Sequence, residues 1–276
     1  MKRTTALILA ALATGCARPA YVTKSDAGKK YIHGGIARLS ESYFDFTGPI
    51  PGYLYTVTVI EYNRAGNITL TDTFKGPDSV HVSREEYHYD PSGERMVRSV
   101  DRDQVKHTFT TSRYRHDAQG RLVSQTDEMS GWRVDYGYDR HGYLKTKVDT
   151  TNTGYPGETR YRYDRMGRLR VAASVRGGDP TKRYTYHGAT DTVATIHSGK
   201  TDHDMYDRRG NLVRSTTDII VERNKKGRIK RVVPATITAE YDYDERGNWI
   251  RRRQLYEGKQ VGLAVRELQY YGEGGE

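Results

Sequence analysis

The densest grouping of metal-ligating side-chain types in the 276-residue sequence is His197, Asp202, His203, Asp204 and Asp207. Imidazole nitrogens and carboxylate oxygens could hold a divalent cation, but Asp207 is already accounted for as a turn acid. A solvated loop is the better reading, and neither a metal nor a cofactor is expected. Glu85-Glu86 has the composition of an acid/base pair, yet neighbouring strand residues point to opposite faces and cannot reach one substrate bond together. No glycine-rich phosphate loop, helical zinc motif or glycine-flanked serine stands out. The single cysteine, Cys16, excludes a disulfide scaffold and a Cys-based zinc site. With no convergent constellation, the chain is expected not to be an enzyme. Its most pointed charge feature is basic: Lys225, Lys226, Arg228, Lys230 and Arg231 crowd one segment, and Arg251-Arg252-Arg253 follow. Such runs usually form a solvated face; otherwise they attract anions, most strongly at low salt.

The elements that would position these residues follow from composition and repetition. Only 35% of the residues are hydrophobic, 29% are charged, and Lys plus Arg number 45 against 35 Asp plus Glu. That favours thin layers or a repeat array over one thick core. Tyrosine is abundant, 23 against four Phe, which argues against disorder. A unit Tyr-x-Tyr-Asp-x-x-Gly recurs as Tyr87, Tyr89, Asp90 and Gly93, as Tyr136, Tyr138, Asp139 and Gly142, as Tyr161, Tyr163, Asp164 and Gly167, and as Tyr241, Tyr243, Asp244 and Gly247. Weaker copies keep the turn, including Asn63 with Gly66, Asp117 with Gly120, Asp207 with Gly210, and Asn224 with Gly227. The copies lie roughly 17 to 27 residues apart, the spacing of a small stacked unit.

Asp or Asn, two polar residues and Gly make a type I turn with Gly at positive φ as a G1 bulge. Each copy is therefore a β-hairpin. The Asp faces the residue after Gly, which places Tyr163 opposite Leu169 and Tyr161 opposite Val171, with Arg162, Arg168 and Arg170 on the other face. One face is then aromatic and aliphatic and the other charged, the pattern of an antiparallel sheet wetted on one side. After Gly93 the apolar pair Met96-Val97 is displaced by one residue, which implies a different loop or bulge there. The fold class is all-β: an array of antiparallel hairpins in a curved or twisted open sheet, spiralled at most partway, with sticky edges at its two ends.

At the amino terminus, Lys2 and Arg3 precede an apolar run from Ala6 to Ala13, too short to span a bilayer as a helix and typical of a secretory signal. Leu12-Ala13-Thr14-Gly15-Cys16 resembles the lipobox of bacterial lipoproteins. That resemblance implies cleavage before Cys16, lipid attachment to its sulfur and acylation of its new amino group. Two or more acyl chains anchor stably. Residues 1–15 would be the signal peptide, 16–30 the lipidated cysteine and a flexible tether, 31–52 an N-terminal cap, and 53–276 the repeat sheet. Losing Lys2 and Arg3 takes the formal charge from +10 to +8. Ala17 is compatible with the outer membrane, and export makes nucleic acid an improbable partner.

The hairpin unit itself resembles the YD repeat, also called the Rhs repeat, of bacterial shell-forming toxins, wall-associated proteins and teneurins. That resemblance implies consecutive hairpins wound into a β-sheet. It leaves three functional expectations: a lipid-anchored, non-enzymatic binding or scaffolding surface of the cell envelope; a carbohydrate-binding lipoprotein; and an accessory or relic of a polymorphic toxin system. Envelope glycan, anionic lipid and protein are the expected partners.

Overall fold

The computed structural model describes residues 35–272 except 49, 151–156, 177–180, 188–190, 197–200, 208 and 224–228. Eighteen strands form one sheet. In chain order they are β1 (Ile36–Asp45), β2 (Tyr53–Tyr62), β3 (Ile68–Lys75), β4 (Val80–Tyr89), β5 (Met96–Asp103), β6 (Thr108–His116), β7 (Leu122–Asp127), β8 (Arg133–Tyr138) and β9 (Leu144–Thr150). The second half comprises β10 (Gly157–Tyr163), β11 (Leu169–Arg176), β12 (Lys182–Tyr186), β13 (Asp191–Ile196), β14 (Thr201–Tyr206), β15 (Leu212–Arg223), β16 (Ile229–Tyr243), β17 (Trp249–Tyr256) and β18 (Lys259–Tyr270). The all-β antiparallel hairpin array expected from the sequence is what the chain forms.

Its ends correct the expectation of an open sheet. Each strand pairs with the next, and β1 pairs both with β2 and with β18. The ladder therefore returns to its start, with Leu39 opposite Leu268 and Ile60, and Glu41 opposite Arg266 and Thr58. Closure removes the two terminal edges that would otherwise expose unpaired backbone groups. The segment read as a cap supplies β1, a full strand of the ring. Ile36, Leu39, Ile60, Tyr62 and Tyr270 form a buried cluster at this seam, with Ile68 and Leu268 packed on it. The other buried apolar side chains are scattered singly around the sheet, Val100, Val134, Leu144, Ala235 and Trp249 among them, as a thin layer requires.

A second correction concerns side-chain direction. Tyr163 does face Leu169, but Arg162 faces Val171 and Tyr161 faces Ala172. Arg170 is an extra residue. The same one-residue shift follows the first pair of every described hairpin of this type: Tyr62–Ile68, Tyr89–Met96, His116–Leu122, Tyr138–Leu144, Tyr206–Leu212 and Tyr243–Trp249. A bulge of this kind bends the strand and increases its twist. It also inverts the alternation of all later residues, so Val171 joins the arginine face and Ala172 the tyrosine face.

Candidate functional site

The turns show why the repeat needs its acid. The Asp164 N–H donates to the Arg168 carbonyl at 2.8 Å and the Gly167 N–H to the Asp164 carbonyl at 3.0 Å. The same acid's Oδ1 accepts from the backbone N–H groups of Met166 and Arg168, both at 2.9 Å. Asp117, Asp139, Asp207 and Asp244 repeat this pattern, each Oδ1 receiving two backbone donors. Gly120, Gly142, Gly167, Gly210 and Gly247 all have φ between 76° and 83°, the left-handed region that glycine enters without a Cβ penalty. The Asp90 turn is one residue longer, its N–H reaching the Arg95 carbonyl at 2.9 Å, in line with the displaced apolar pair after Gly93. Donated hydrogen bonds, led by the Arg168 N–H, hold the Asp164 carboxyl below the usual carboxylate range.

The tyrosines join one hairpin to the next. Between β7 and β8 the ladder stops at the Ser124–Asp135 pair. Two residues beyond, the Leu122 carbonyl accepts from the Tyr138 hydroxyl at 2.7 Å. At the same offset Tyr89 donates to the Ile68 carbonyl (2.7 Å), Tyr163 to Leu144 (2.9 Å), Tyr186 to Leu169 (2.7 Å) and Tyr241 to Leu212 (2.8 Å). The phenol thus takes over where the backbone rungs end, satisfying a carbonyl that would otherwise go unpaired as the hairpins splay. Tyr271 does the same across the seam, its hydroxyl meeting the Tyr62 carbonyl.

The residue flanking the turn glycine covers the next tyrosine. Arg121 lies 4.8 Å from the Tyr138 ring and Arg168 lies 4.5 Å from Tyr186, each held in place by its own turn acid at 2.7 Å. Tyr143, at the equivalent position, stacks on Tyr163 with centroids 5.0 Å apart. Where that position is Asn the network changes. The Asn211 amide bridges Asp207 and the Tyr243 hydroxyl, which itself donates to Asp207 at 3.0 Å. Asn248, Asp244 and Tyr270 repeat it, with Tyr270 donating at 2.5 Å. Burial, and then the bond to the carboxylate, push both Tyr243 and Tyr270 up to about 12.

The remaining candidates are dispersed. Tyr87 donates to Glu85 and is pushed well above the usual phenol range by burial and by that carboxylate. Tyr136 faces Lys147. Glu85 and Glu86 lie on opposite faces, Glu86 joining Arg84 and Arg102 at 3.2 and 3.7 Å. Glu85 instead faces Asp101 across β4 and β5, and burial followed by this like charge raises the Asp101 carboxyl. This pairing is invisible in sequence, because it depends on the longer Asp90 loop.

Asp202 and Asp204 share a face with Thr217 and Ser215, which donate to them at 2.5 and 2.7 Å. His203 points the other way, Asp207 is spent in its turn, and His197 lies outside the described residues. Cys16, Lys225, Lys226 and Arg228 also lie outside them. Lys230 and Arg231 fall within β16, Arg231 opposite Glu222. Asn224 and Gly227, read as the turn of a weaker copy, also lie outside the described residues.

Charge is partitioned between the faces. Arg113, Arg115, Arg160, Arg162, Arg214 and Arg251 are exposed on the face away from the tyrosines. Ion pairs such as Arg133–Asp135 at 2.7 Å and Arg160–Glu158 at 2.6 Å offset part of that charge. Among the described residues no three His, Cys, Asp or Glu side chains are grouped as for a metal, and no helix is long and apolar enough to cross a membrane.

No curated protein matches the chain. Among solved structures it is similar to a porin-like protein from Bacteroides uniformis ATCC 8492, at 11% identity and TM-score 0.46, over 85% of this chain and 98% of that one. It is also similar to TcdB2-TccC3, at 13% identity and TM-score 0.28, over 82% of this chain and 15% of that one. A porin-like protein from Bacteroides vulgatus ATCC 8482 is similar at 14% identity and TM-score 0.25, over 87% of this chain and 100% of that one. The family model described as RHS Repeat matches residues 116–155, the span holding the Asp117 and Asp139 turns and the Tyr138 joint. The hairpin units within residues 116–155 are similar to the RHS repeat.

Proposed function

We propose that the protein is a lipid-anchored envelope protein whose RHS-repeat sheet is a non-enzymatic binding or scaffolding surface. The carrying observation is that the repeat consumes its own chemistry. Turn aspartates are filled by backbone donors, tyrosine hydroxyls by neighbouring carbonyls or turn acids, and several arginines by turn acids and rings. What faces solvent is a rigid, basic sheet surface suited to holding a partner. Most of the described tyrosines are half-buried, which speaks against a general tyrosine platform for sugars.

Anchoring rests on Cys16 and is tested by growing cells with an alkyne analogue of palmitate. The expected result is a labelled, membrane-fractionating wild-type protein and an unlabelled Cys16→Ser variant whose processing no longer responds to globomycin. Label retained on Cys16→Ser would overturn the anchor. For the surface, crosslinking in intact envelopes is expected to trap a macromolecular partner on the basic face. Turnover of an envelope substrate by the purified protein would overturn the non-enzymatic reading.

A further inference from the structure

We propose that the end of the sheet bearing the acid-to-glycine turns rests on an anionic lipid surface and so sets which way the anchored protein stands. The inference rests on reading Cys16 as the lipid-bearing residue, and it adds the surface that meets the bilayer. Consecutive strands are antiparallel, so alternate turns share an end. The turns opened by Asn63, Asp90, Asp117, Asp139, Asp164, Asp207 and Asp244 therefore project together. The chain enters the sheet at this same end, where the Gly35 carbonyl, just before β1, accepts from the Tyr271 N–H at 3.0 Å. Residues 17–34 separate Cys16 from Gly35, and a random chain of that length spans about 25 Å. The twelve residues of β18 extend roughly 40 Å. A lipid on Cys16 thus brings the turn end to the membrane before the opposite end.

The outermost layer of that end is cationic. Two residues stand at each tip, between the turn acid or amide and its glycine. Among the described residues the tips carry Arg64, Arg140, Arg165, Arg209 and Arg246 against one acid, Glu245, all of them exposed. The turn acids lie behind them, Asp117 and Asp164 with side chains 20% and 17% exposed and each Oδ1 taken by backbone donors. The described turns at the opposite end hold Lys106 against Asp78, Glu128 and Glu257. Lys106 is paired with Asp103 at 3.0 Å, and Ile50, Val105 and Met129 stand exposed there. Arginines of the sheet face are spread along the strands among acids such as Asp135 and Glu158, so no plane meets them together. The tips can meet a flat surface at once. Guanidinium forks match phosphate oxygens, and each basic residue held against an anionic bilayer tightens binding about fivefold. Met166 and Tyr271, exposed among the tips with Arg64 over the Tyr271 ring at 5.8 Å, add apolar contact at headgroup level.

The test places the full-length protein, purified from membranes, in phosphatidylcholine vesicles with or without phosphatidylglycerol. A fluorophore on Ala118→Cys reports the turn end and one on Val105→Cys the opposite end, with spin-labelled lipid headgroups as quencher. With phosphatidylglycerol present the Ala118→Cys label should be quenched and the Val105→Cys label should not. Leaving out phosphatidylglycerol, or raising the salt, should relieve that quenching. The variant Arg64→Gln with Arg140→Gln and Arg165→Gln should lose most of the phosphatidylglycerol-dependent part. Arg113→Gln with Arg133→Gln and Arg160→Gln makes the same charge change on the sheet face and should keep it. Unaltered urea midpoints would show that both triple variants fold. Quenching that is equal at the two labels, greater at Val105→Cys, indifferent to phosphatidylglycerol or equally sensitive to the face variant would overturn the docking. Vesicle flotation separates that result from the anchor: protein that floats with both lipids while Ala118→Cys stays unquenched loses the docking alone. Protein that floats with neither loses the anchor and the docking together.

Discussion

Glu41 accepts from the Arg266 Nε at 2.8 Å across the seam between β1 and β18, and the two residues stand directly opposite in register. Arg266 also lies 3.4 Å from the Trp249 ring. Burial pushes its guanidinium below its ordinary range, a pull that the Glu41 carboxylate opposes. This ion pair is largely shielded from water, with side-chain exposures of 12% and 22%. Removing one member strands the other charge.

Glu41→Gln should therefore destabilise the protein by about 3 kcal/mol, read as a lowered urea midpoint. The double variant Glu41→Leu with Arg266→Met should recover most of that loss, because no uncompensated charge remains. A double variant as unstable as Glu41→Gln would show that the seam depends on the pair itself.

Tyr163→Phe keeps the ring on Tyr143 but deletes the donor to the Leu144 carbonyl. The expected cost is about 1–2 kcal/mol, that of leaving a part-buried acceptor unpaired. Hydrogen exchange should accelerate in β9 and β10 more than in β2 and β3, since the joint is local. Uniform acceleration would mean that the hydroxyl acts through global stability alone.

Gly167→Ala and Gly142→Ala separate backbone strain from crowding. Both glycines have positive φ, 76° and 82°, which costs an alanine about 1–2 kcal/mol. A Cβ at Gly142 would meet open space, whereas one at Gly167 would run into the Tyr143 ring and hydroxyl. Gly167→Ala should be the more destabilising of the two and should disturb the Tyr143–Tyr163 stack, read by tyrosine fluorescence.

Stability should fall at both pH extremes. Asp164 is lowered first by the Arg168 N–H and Asp127 first by the Ser130 hydroxyl. Their contribution is complete above the unfolded carboxylate value near 3.8 and lost as pH falls through the lower folded values. Tyr243 and Tyr270, raised to about 12, act in the opposite sense. Their contribution is complete below about 10 and lost as pH rises through about 12. Absorbance at 295 nm should show Tyr243 and Tyr270 among the tyrosines that ionise late, together with Tyr87, and Asn248→Ala should shift Tyr270. Chemical denaturation from pH 2 to 6 reads the acid limb.

The turns were the most legible part of the sequence, because Asp, two polar residues and Gly carry their geometry locally. Tyr163 opposite Leu169 followed from that alone. The next pair did not, because the bulge at Arg170 has no residue-type signature: the same position holds Thr69, Val97, Val123, Lys145, Val213 and Ile250. Closure was equally hidden, since Leu39 and Leu268 read as ordinary alternation until they are seen facing each other.

The seam also sets an order of events in time. Glu41 and Arg266 are 225 residues apart in sequence, so the first strand made must wait for the last before either is fully paired. Contacts of such long range form late, after the loop-closure entropy of everything between them has been met. Throughout that interval β1 and the newest strand present bare edges able to capture another chain. The finished ring is edge-free and self-contained, and its precursor is the most adhesive form the chain ever takes.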